Sequence, residues 1–364
     1  FRMLRYITRR ALSQVQQVRL ISAGSESLKT KKIGIIGLGN VGNALVKNLE
    51  RTGYTVTSIL DIDKERYSDF SDRKFSTPDC PRSLAEEVDI VFTVLPMPNH
   101  VKAVFEGDDG LLEGLNGGKI WIDHSTTDYE QTEDMCELVV ARGGRMLEAP
   151  VTGGLEALKK GQMTVFLAGD KSVAEEVQPM LDDIYSNVIY TGKMGTALVP
   201  KVLSNMLTCV HNLAMGEAFM VAKRAGVDMR TMFDCIRASS GNSFVFETGG
   251  PMLMQGTYDP SFTIALQCKD NRLGYQMATK HRVPIEILGH AMQAYNKAMY
   301  KYGDDAPCYI APKMLEEALQ TDLRCEEFKN WGYSIQNVDG SSVIRHHGID
   351  IKRSNKDELS KFEV

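Results

Sequence analysis

The stretch that decides the fold is IGIIGLGNVG, residues 33–42. A short isoleucine-rich run stops at Gly37, and NALVKNLERTG then takes up the spacing of an amphipathic helix. Gly37, Gly39 and Gly42 stand where a strand turns sharply into a helix. Gly37 permits the tight turn, Gly39 lets the backbone approach a pyrophosphate, and Gly42 lets the helix pack on the strand. Leu38, Asn40 and Val41 complete a turn whose unpaired N–H groups lie at the positive end of the helix. Residues 37–42 are therefore assigned to a dinucleotide cofactor.

About two dozen residues further on, the next strand-like run, TVTSILDI, brings Asp61 to its end, the position that reads the adenosine ribose. A carboxylate there accepts from both ribose hydroxyls and repels a 2′-phosphate. No arginine follows immediately, the next basic residues being Lys64 and Arg66, so the expected cofactor is NAD rather than NADP. A third run, DIVFTVLP, ends in Leu95 and Pro96, which are expected to form the floor beneath the nicotinamide ribose.

The same alternation continues outward. KIWIDHS, RMLEAPVT and TVFLAG read as further buried strands, separated by segments of helical spacing. The fold class expected is α/β, a Rossmann-type, doubly wound, mostly parallel sheet. After about Gly195 strand signals give way to helical patterns, so an all-helical C-terminal domain should follow. The expected division is a leader over residues 1–28, a nucleotide-binding domain over 29–192, a helical substrate and dimerisation domain over 193–321, and a polar tail over 322–364. That tail is punctuated by Gly and Ser, and its pair His346 and His347 has no partner cluster, so it reads as solvated rather than metal-binding.

The chain has 364 residues, 43% of them hydrophobic, and a net charge of -5. Interleaved charges of this sign argue against a broad basic surface for nucleic acid. No run reaches the roughly 20 apolar residues of a membrane span; the nearest, VPKVLSNMLTCVHNLAMGEAF, is interrupted by Lys201, Ser204, Asn205, His211, Asn212 and Glu217. The seven cysteines form no C-x-x-C pair, so neither a metal site nor a disulfide framework is expected. The first 28 residues carry Arg2, Arg5, Arg9, Arg10 and Arg19, several serines and no acid before Glu26, the composition of a mitochondrial presequence.

Lys201 opens the apolar helix with little opposite charge nearby, and Asn205 lies four residues on, on the same helix face. Taken alone, Lys201 reads either as a solvated first-turn lysine or as a general acid/base.

Five motifs occur in one order: GLGNVG, DHSTTD, EAPVTGGLEALKKGQMTVFLAGD, the Lys201 helix and QCKDNRLG. Over about residues 31–320 they resemble the β-hydroxyacid dehydrogenases. The resemblance implies NAD-dependent oxidation of a small hydroxyacid without a metal, by a homodimer or homotetramer joined through the helical domain. It assigns catalysis to Lys201 and Asn205. It assigns the substrate carboxylate to Ser125 and Thr126, in the segment that begins at Asp123, and to Thr152, Gly153 and Gly154. Thr126 and Lys269 are also placed near the cofactor, with Asp270 beside Lys269 and Phe262 lining the cleft. Two departures stand out: Pro200 precedes the lysine, and Ser204 replaces the first of a usual asparagine pair. A semialdehyde reductase of the same family and a non-catalytic dinucleotide-binding scaffold stay open beside this reading.

Overall fold

The computed structural model describes residues 26–338 and 341–349. Most of the expected leader and the end of the chain lie outside them. Leu28, which that expectation left out of the fold, is buried, and its carbonyl accepts from Lys31 N at 3.1 Å. The described residues form two compact units, with the division between Val202 and Leu203. The expected join at residue 192 falls ahead of a long helix, whereas the division lies inside it.

The first unit is built on β1 (Lys32–Ile36), α1 (Asn40–Arg51), β2 (Thr55–Leu60), α2 (Pro81–Glu87), β3 (Ile90–Thr93) and α3 (Pro98–Phe105). It continues with α4 (Leu111–Gly114), β4 (Ile120–Asp123), α5 (Tyr129–Ala141), β5 (Arg145–Glu148), β6 (Val151–Thr152), α6 (Leu155–Lys159), β7 (Thr164–Gly169), α7 (Lys171–Ile184) and β8 (Asn187–Gly192). The sheet runs β2-β1-β3-β4-β5-β7-β6, with β8 also paired to β7. The first four pairings are parallel, and β7 lies antiparallel to both β5 and β6. Strand order reverses at β1, which has β2 on one side and β3 on the other; a crevice opens at such a switch point.

Strands β3 and β4 are buried along their whole length, as sheets covered on both faces require. One core beside them holds Leu84, Val91, Val101 and Phe105, with Phe105 stacked on Trp121 at 5.3 Å between ring centroids. The run RMLEAPVT, expected as one strand, is two. Ala149 still donates to the Asp123 carbonyl, but Pro150 has no N–H and the ladder breaks there. Edge strand β8, with Ile189 and Tyr190 partly exposed, went unexpected.

Helix α8 (Leu198–Arg224) runs from the first unit into the second. The second unit then adds α9 (Met229–Arg237), α10 (Phe244–Gln255), α11 (Ile264–Lys280), α12 (Glu286–Tyr302) and α13 (Lys313–Ala318). Asp228, Ser243 and Thr263 cap the starts of α9, α10 and α11 through their side chains. Among the described residues no helix is long and apolar enough to cross a membrane.

The expected solvated tail is corrected here. Beyond residue 322 the chain forms an antiparallel pair, β9 (Gly332–Val338) and β10 (Ser341–His347), and Leu323, Phe328, Trp331, Tyr333 and Ile335 are buried. His346 is not solvated: its Nε2 lies 2.8 Å from Glu247 Oε2, and its Nδ1 accepts from Trp331 Nε1 at 3.0 Å. The helical domain therefore carries a β-hairpin.

Candidate active site

Two glycines of the 37–42 turn are required by the protein itself. Gly37 has φ 95°, and a Cβ there would meet the Val94 carbonyl oxygen at 2.3 Å. A Cβ on Gly42 would lie 1.8 Å from the Gly37 carbonyl oxygen, so helix and turn touch through backbone alone. Gly39 differs. A Cβ there would meet only Arg66 Nη1, at 3.6 Å, an ordinary contact with the end of a flexible side chain. Gly39 also caps α1 without a side-chain hydrogen bond, and no acid stands in the first turn. An uncapped, positive helix end over an open cradle fits a pyrophosphate. The residues present thus fit the dinucleotide expected of them.

Asp61 directly follows β2, beside that turn. Its Oδ2 accepts from Leu38 N at 2.6 Å and its Oδ1 from Asp63 N at 2.8 Å. No arginine follows Asp61 immediately in the chain, yet the fold brings one of the next basic residues, Arg66, back beside it. A 3-10 helix, Lys64–Phe70, folds Arg66 back, placing its Nη1 3.2 Å from the Leu38 carbonyl and its Nε 3.9 Å from Asp61 Oδ1. Ile62, passed over in the sequence, is 98% exposed next to Asp61, where an apolar side chain can cover a flat base.

The ends of β3 and β4 are tied together. Trp121 Nε1 donates to Thr93 Oγ1, which donates to Asp123 Oδ1; the same carboxylate oxygen accepts from Ser125 N at 3.0 Å. Ser125 Oγ in turn accepts from Leu95 N at 3.0 Å. Ser125 is buried and holds Leu95 in place, while Thr126 is half-buried and Pro96 exposed. Thr152 ends β6, and Gly153 (φ 138°) and Gly154 (φ 80°) turn the chain into α6.

Lys201 is the fourth residue of α8, half-buried, with Pro200 in the first turn, where a missing N–H does no harm. The start of that helix is set by Glu148, a residue the sequence reading missed. Glu148 is 1% exposed, and its Oε1 accepts from the N–H groups of Ala197 and Leu198. Burial pushes its carboxyl up to about 7 against the opposing pull of those N–H groups. Only knowledge that residues 148 and 197 meet could have revealed it.

The second unit gathers another group. Asn205 Nδ2 donates to Asp270 Oδ2 at 2.5 Å, and Lys269 Nζ pairs with Asp270 Oδ1 at 2.7 Å. Lys269, 4% exposed, is thus a buried partner of Asp270. Gln267, also missed, donates to the Asn205 carbonyl at 3.1 Å. Phe262 is half-buried and its carbonyl accepts from Cys308 N at 2.9 Å.

The NAD-binding domain of 6-phosphogluconate dehydrogenase matches residues 32–209, and the NAD-binding domain of NADP-dependent 3-hydroxyisobutyrate dehydrogenase matches residues 195–309. Mitochondrial 3-hydroxyisobutyrate dehydrogenase of Homo sapiens is 30% identical over 299 residues, covering 80% of this chain and 88% of that protein. The cytokine-like nuclear factor N-PAC of Bos taurus is 27% identical over 275 residues, covering 76% of this chain and 50% of its own length. Among solved structures, Mycobacterium tuberculosis 3-hydroxyisobutyrate dehydrogenase with L-serine superposes with a TM-score of 0.71 at 25% identity, covering 78% of this chain and 99% of the other. With its glycine turn, its helix lysine and this extent of likeness, the chain belongs to the 3-hydroxyisobutyrate dehydrogenase family of NAD(P)-dependent hydroxyacid oxidoreductases.

Proposed function

We propose that this chain oxidises 3-hydroxyisobutyrate, or a small hydroxyacid close to it, to the semialdehyde with NAD. The observation that carries this reading is the seating of Lys201. It is half-buried one turn into α8, and the helix start is fixed by Glu148 within the unit that holds the glycine turn.

Oxidation of an alcohol removes a hydride from carbon and a proton from oxygen. A nicotinamide cofactor held by the 37–42 turn and Asp61 would supply the hydride acceptor. Lys201 Nζ takes the hydroxyl proton in its neutral form and returns it in the reverse direction. The 125–126 and 152–154 turns receive the substrate carboxylate, through backbone N–H groups that glycine leaves uncovered and through threonine hydroxyls. Asn205, held by Asp270, orients the substrate without changing the charge of the site. Relatives named as mitochondrial enzymes and the arginine-rich first residues support a mitochondrial matrix location, and 3-hydroxyisobutyrate as the substrate would give the chain a part in valine breakdown. The helical unit is the surface through which a homodimer or homotetramer would form.

The test compares kcat/KM for 3-hydroxyisobutyrate, 3-hydroxypropionate, L-serine and 4-hydroxybutyrate with NAD and with NADP. Lys201→Ala should lower turnover by about 10²–10⁴-fold while the cofactor still binds. Turnover unchanged in that variant would end the mechanism. Arg66 favours a second reading for the cofactor alone: its guanidinium beside Asp61 supplies a positive group for a 2′-phosphate. The likeness to N-PAC keeps a scaffold role in view, and cofactor binding without any turnover would establish it.

A further inference from the structure

The turns at 125–126 and 152–154 come from different strands, and a single side chain links the segments that lead into them. His124 stands between Asp123 and Ser125 and is 3% exposed. Its Nδ1 lies 2.6 Å from the Ala149 carbonyl oxygen, and its Nε2 lies 2.7 Å from Tyr185 Oη. A carbonyl only accepts, so Nδ1 carries the proton and Nε2 accepts from the tyrosine hydroxyl. The imidazole is neutral, with both nitrogens satisfied. Its ring packs on Phe92 at 5.1 Å and meets Tyr185 edge-on at 5.6 Å. Burial pushes its pKa down to about 4, so this tautomer persists through neutral pH.

The backbone repeats the connection. Ala149 N donates to the Asp123 carbonyl at 2.7 Å, and His124 N donates to the Thr93 carbonyl at 2.9 Å. Ala149 is thus held at its N–H by residue 123 and at its carbonyl by residue 124. Two residues after Ala149, β6 begins and leads into the 152–154 turn. One residue after His124 stands Ser125, which holds Leu95.

We infer that His124, steadied by Tyr185, is a positioning residue that registers the 125–126 turn against the 152–154 turn. It thereby sets the spacing at which a substrate carboxylate is received. This rests on the hydroxyacid reading above. A core histidine with no such part would affect stability alone.

The experiment uses the full chain and its His124→Phe, His124→Asn and Tyr185→Phe variants. Phenylalanine keeps the ring and loses both hydrogen bonds, whereas asparagine keeps an amide N–H where Nδ1 stood. His124→Phe should raise KM for the hydroxyacid about tenfold or more, with kcat within about threefold and cofactor Kd unchanged. His124→Asn should restore most of the loss, and Tyr185→Phe should fall between. Amide exchange at residues 125–127 and 151–154 should quicken together in His124→Phe. Equal KM in the wild type and His124→Phe, or equal losses in KM and cofactor Kd, would overturn the assignment. Should His124→Phe fail to fold, His124→Gln, whose amide replaces Nε2 and drops the Ala149 bond, gives the same contrast against asparagine. If the wild type turns over no hydroxyacid, the hydroxyacid reading fails, and the exchange contrast still decides whether His124 ties the two turns.

Discussion

The glycine turn at 37–42 and the hairpin of β9 and β10 are both held firmly, by opposite means. In the turn, atoms are missing. Gly37 and Gly42 leave out the Cβ atoms that would strike backbone, and chain meets chain without a side chain between. In the hairpin, side chains do the closing. His346 reaches Glu247, which also accepts from Arg237 and Asn242, and Gln255 donates to the Trp331 carbonyl. Just before it, Arg324 donates to Tyr258 Oη and pairs with Glu316. The first kind of order is rigid and made by backbone, which carries no titratable group. The second links residues far apart in the chain and contains groups that titrate.

The largest expected effect separates two roles of glycine within the turn. In Gly42→Ala the new Cβ would lie 1.8 Å from a backbone oxygen, where nothing flexible can give way. Helix α1 must shift, costing about 3 kcal/mol or more, and cofactor affinity should fall by at least about 100-fold. Gly39→Ala meets only the end of the Arg66 side chain, at an ordinary 3.6 Å, so its melting temperature should stay near that of the wild type while cofactor affinity still drops. A Gly42→Ala protein as stable as the wild type would remove the contrast between turn and hairpin. Melting curves and NADH titration of the two variants decide it.

That contrast also explains what could be read from the residues alone. Parallel strands buried on both faces announce themselves as apolar runs, and a glycine turn as a spacing, because the pattern itself spans only a few neighbouring residues, even where, as at Gly37 against Val94, the contact that requires it is distant. Pro150 likewise marked the break between β5 and β6 for anyone weighing its missing N–H. Glu148 and His124 gave no such sign, since Ala197 and Tyr185, which explain them, are distant in the chain. The hairpin lay between. Trp331, Tyr333 and Ile335 alternate in strand fashion, yet the polar residues around them made the segment read as solvated.

The hairpin's closure should respond to pH where the turn's does not. Burial raises the Glu247 carboxyl, but hydrogen bonds from His346, Asn242 and Arg237 outweigh it and hold the group down to about 2, against an ordinary 4.5. A depressed carboxylate contributes stability that is complete above pH 4.5 and lost as pH falls towards about 2. Glu247→Gln should therefore cost about 2 kcal/mol at pH 7, with cofactor Kd unchanged. The gap between wild type and variant should close progressively below pH 4.5. A gap that stays constant from pH 7 to pH 3 would mean that Glu247 acts by packing, not by charge.

The smallest effect lies where the two kinds of order meet. Arg66 is a side chain that closes on the glycine turn from outside, through the Leu38 carbonyl at 3.2 Å, with Asp61 and Asp63 as its ionic partners. Its guanidinium is well exposed, so its ion pairs stabilise little, on the order of 0.5 kcal/mol or less. Its consequence should appear in the choice of cofactor. If the guanidinium can turn from Asp61 to a 2′-phosphate, Arg66→Ala should weaken NADP more than NAD and move their affinity ratio by about five- to tenfold, roughly 1 kcal/mol. Asp61→Ala should move the ratio the other way, because the charge that repels the phosphate is gone. Equal weakening of both cofactors in Arg66→Ala would make the arginine a brace for the turn, and discrimination would then rest with Asp61 alone.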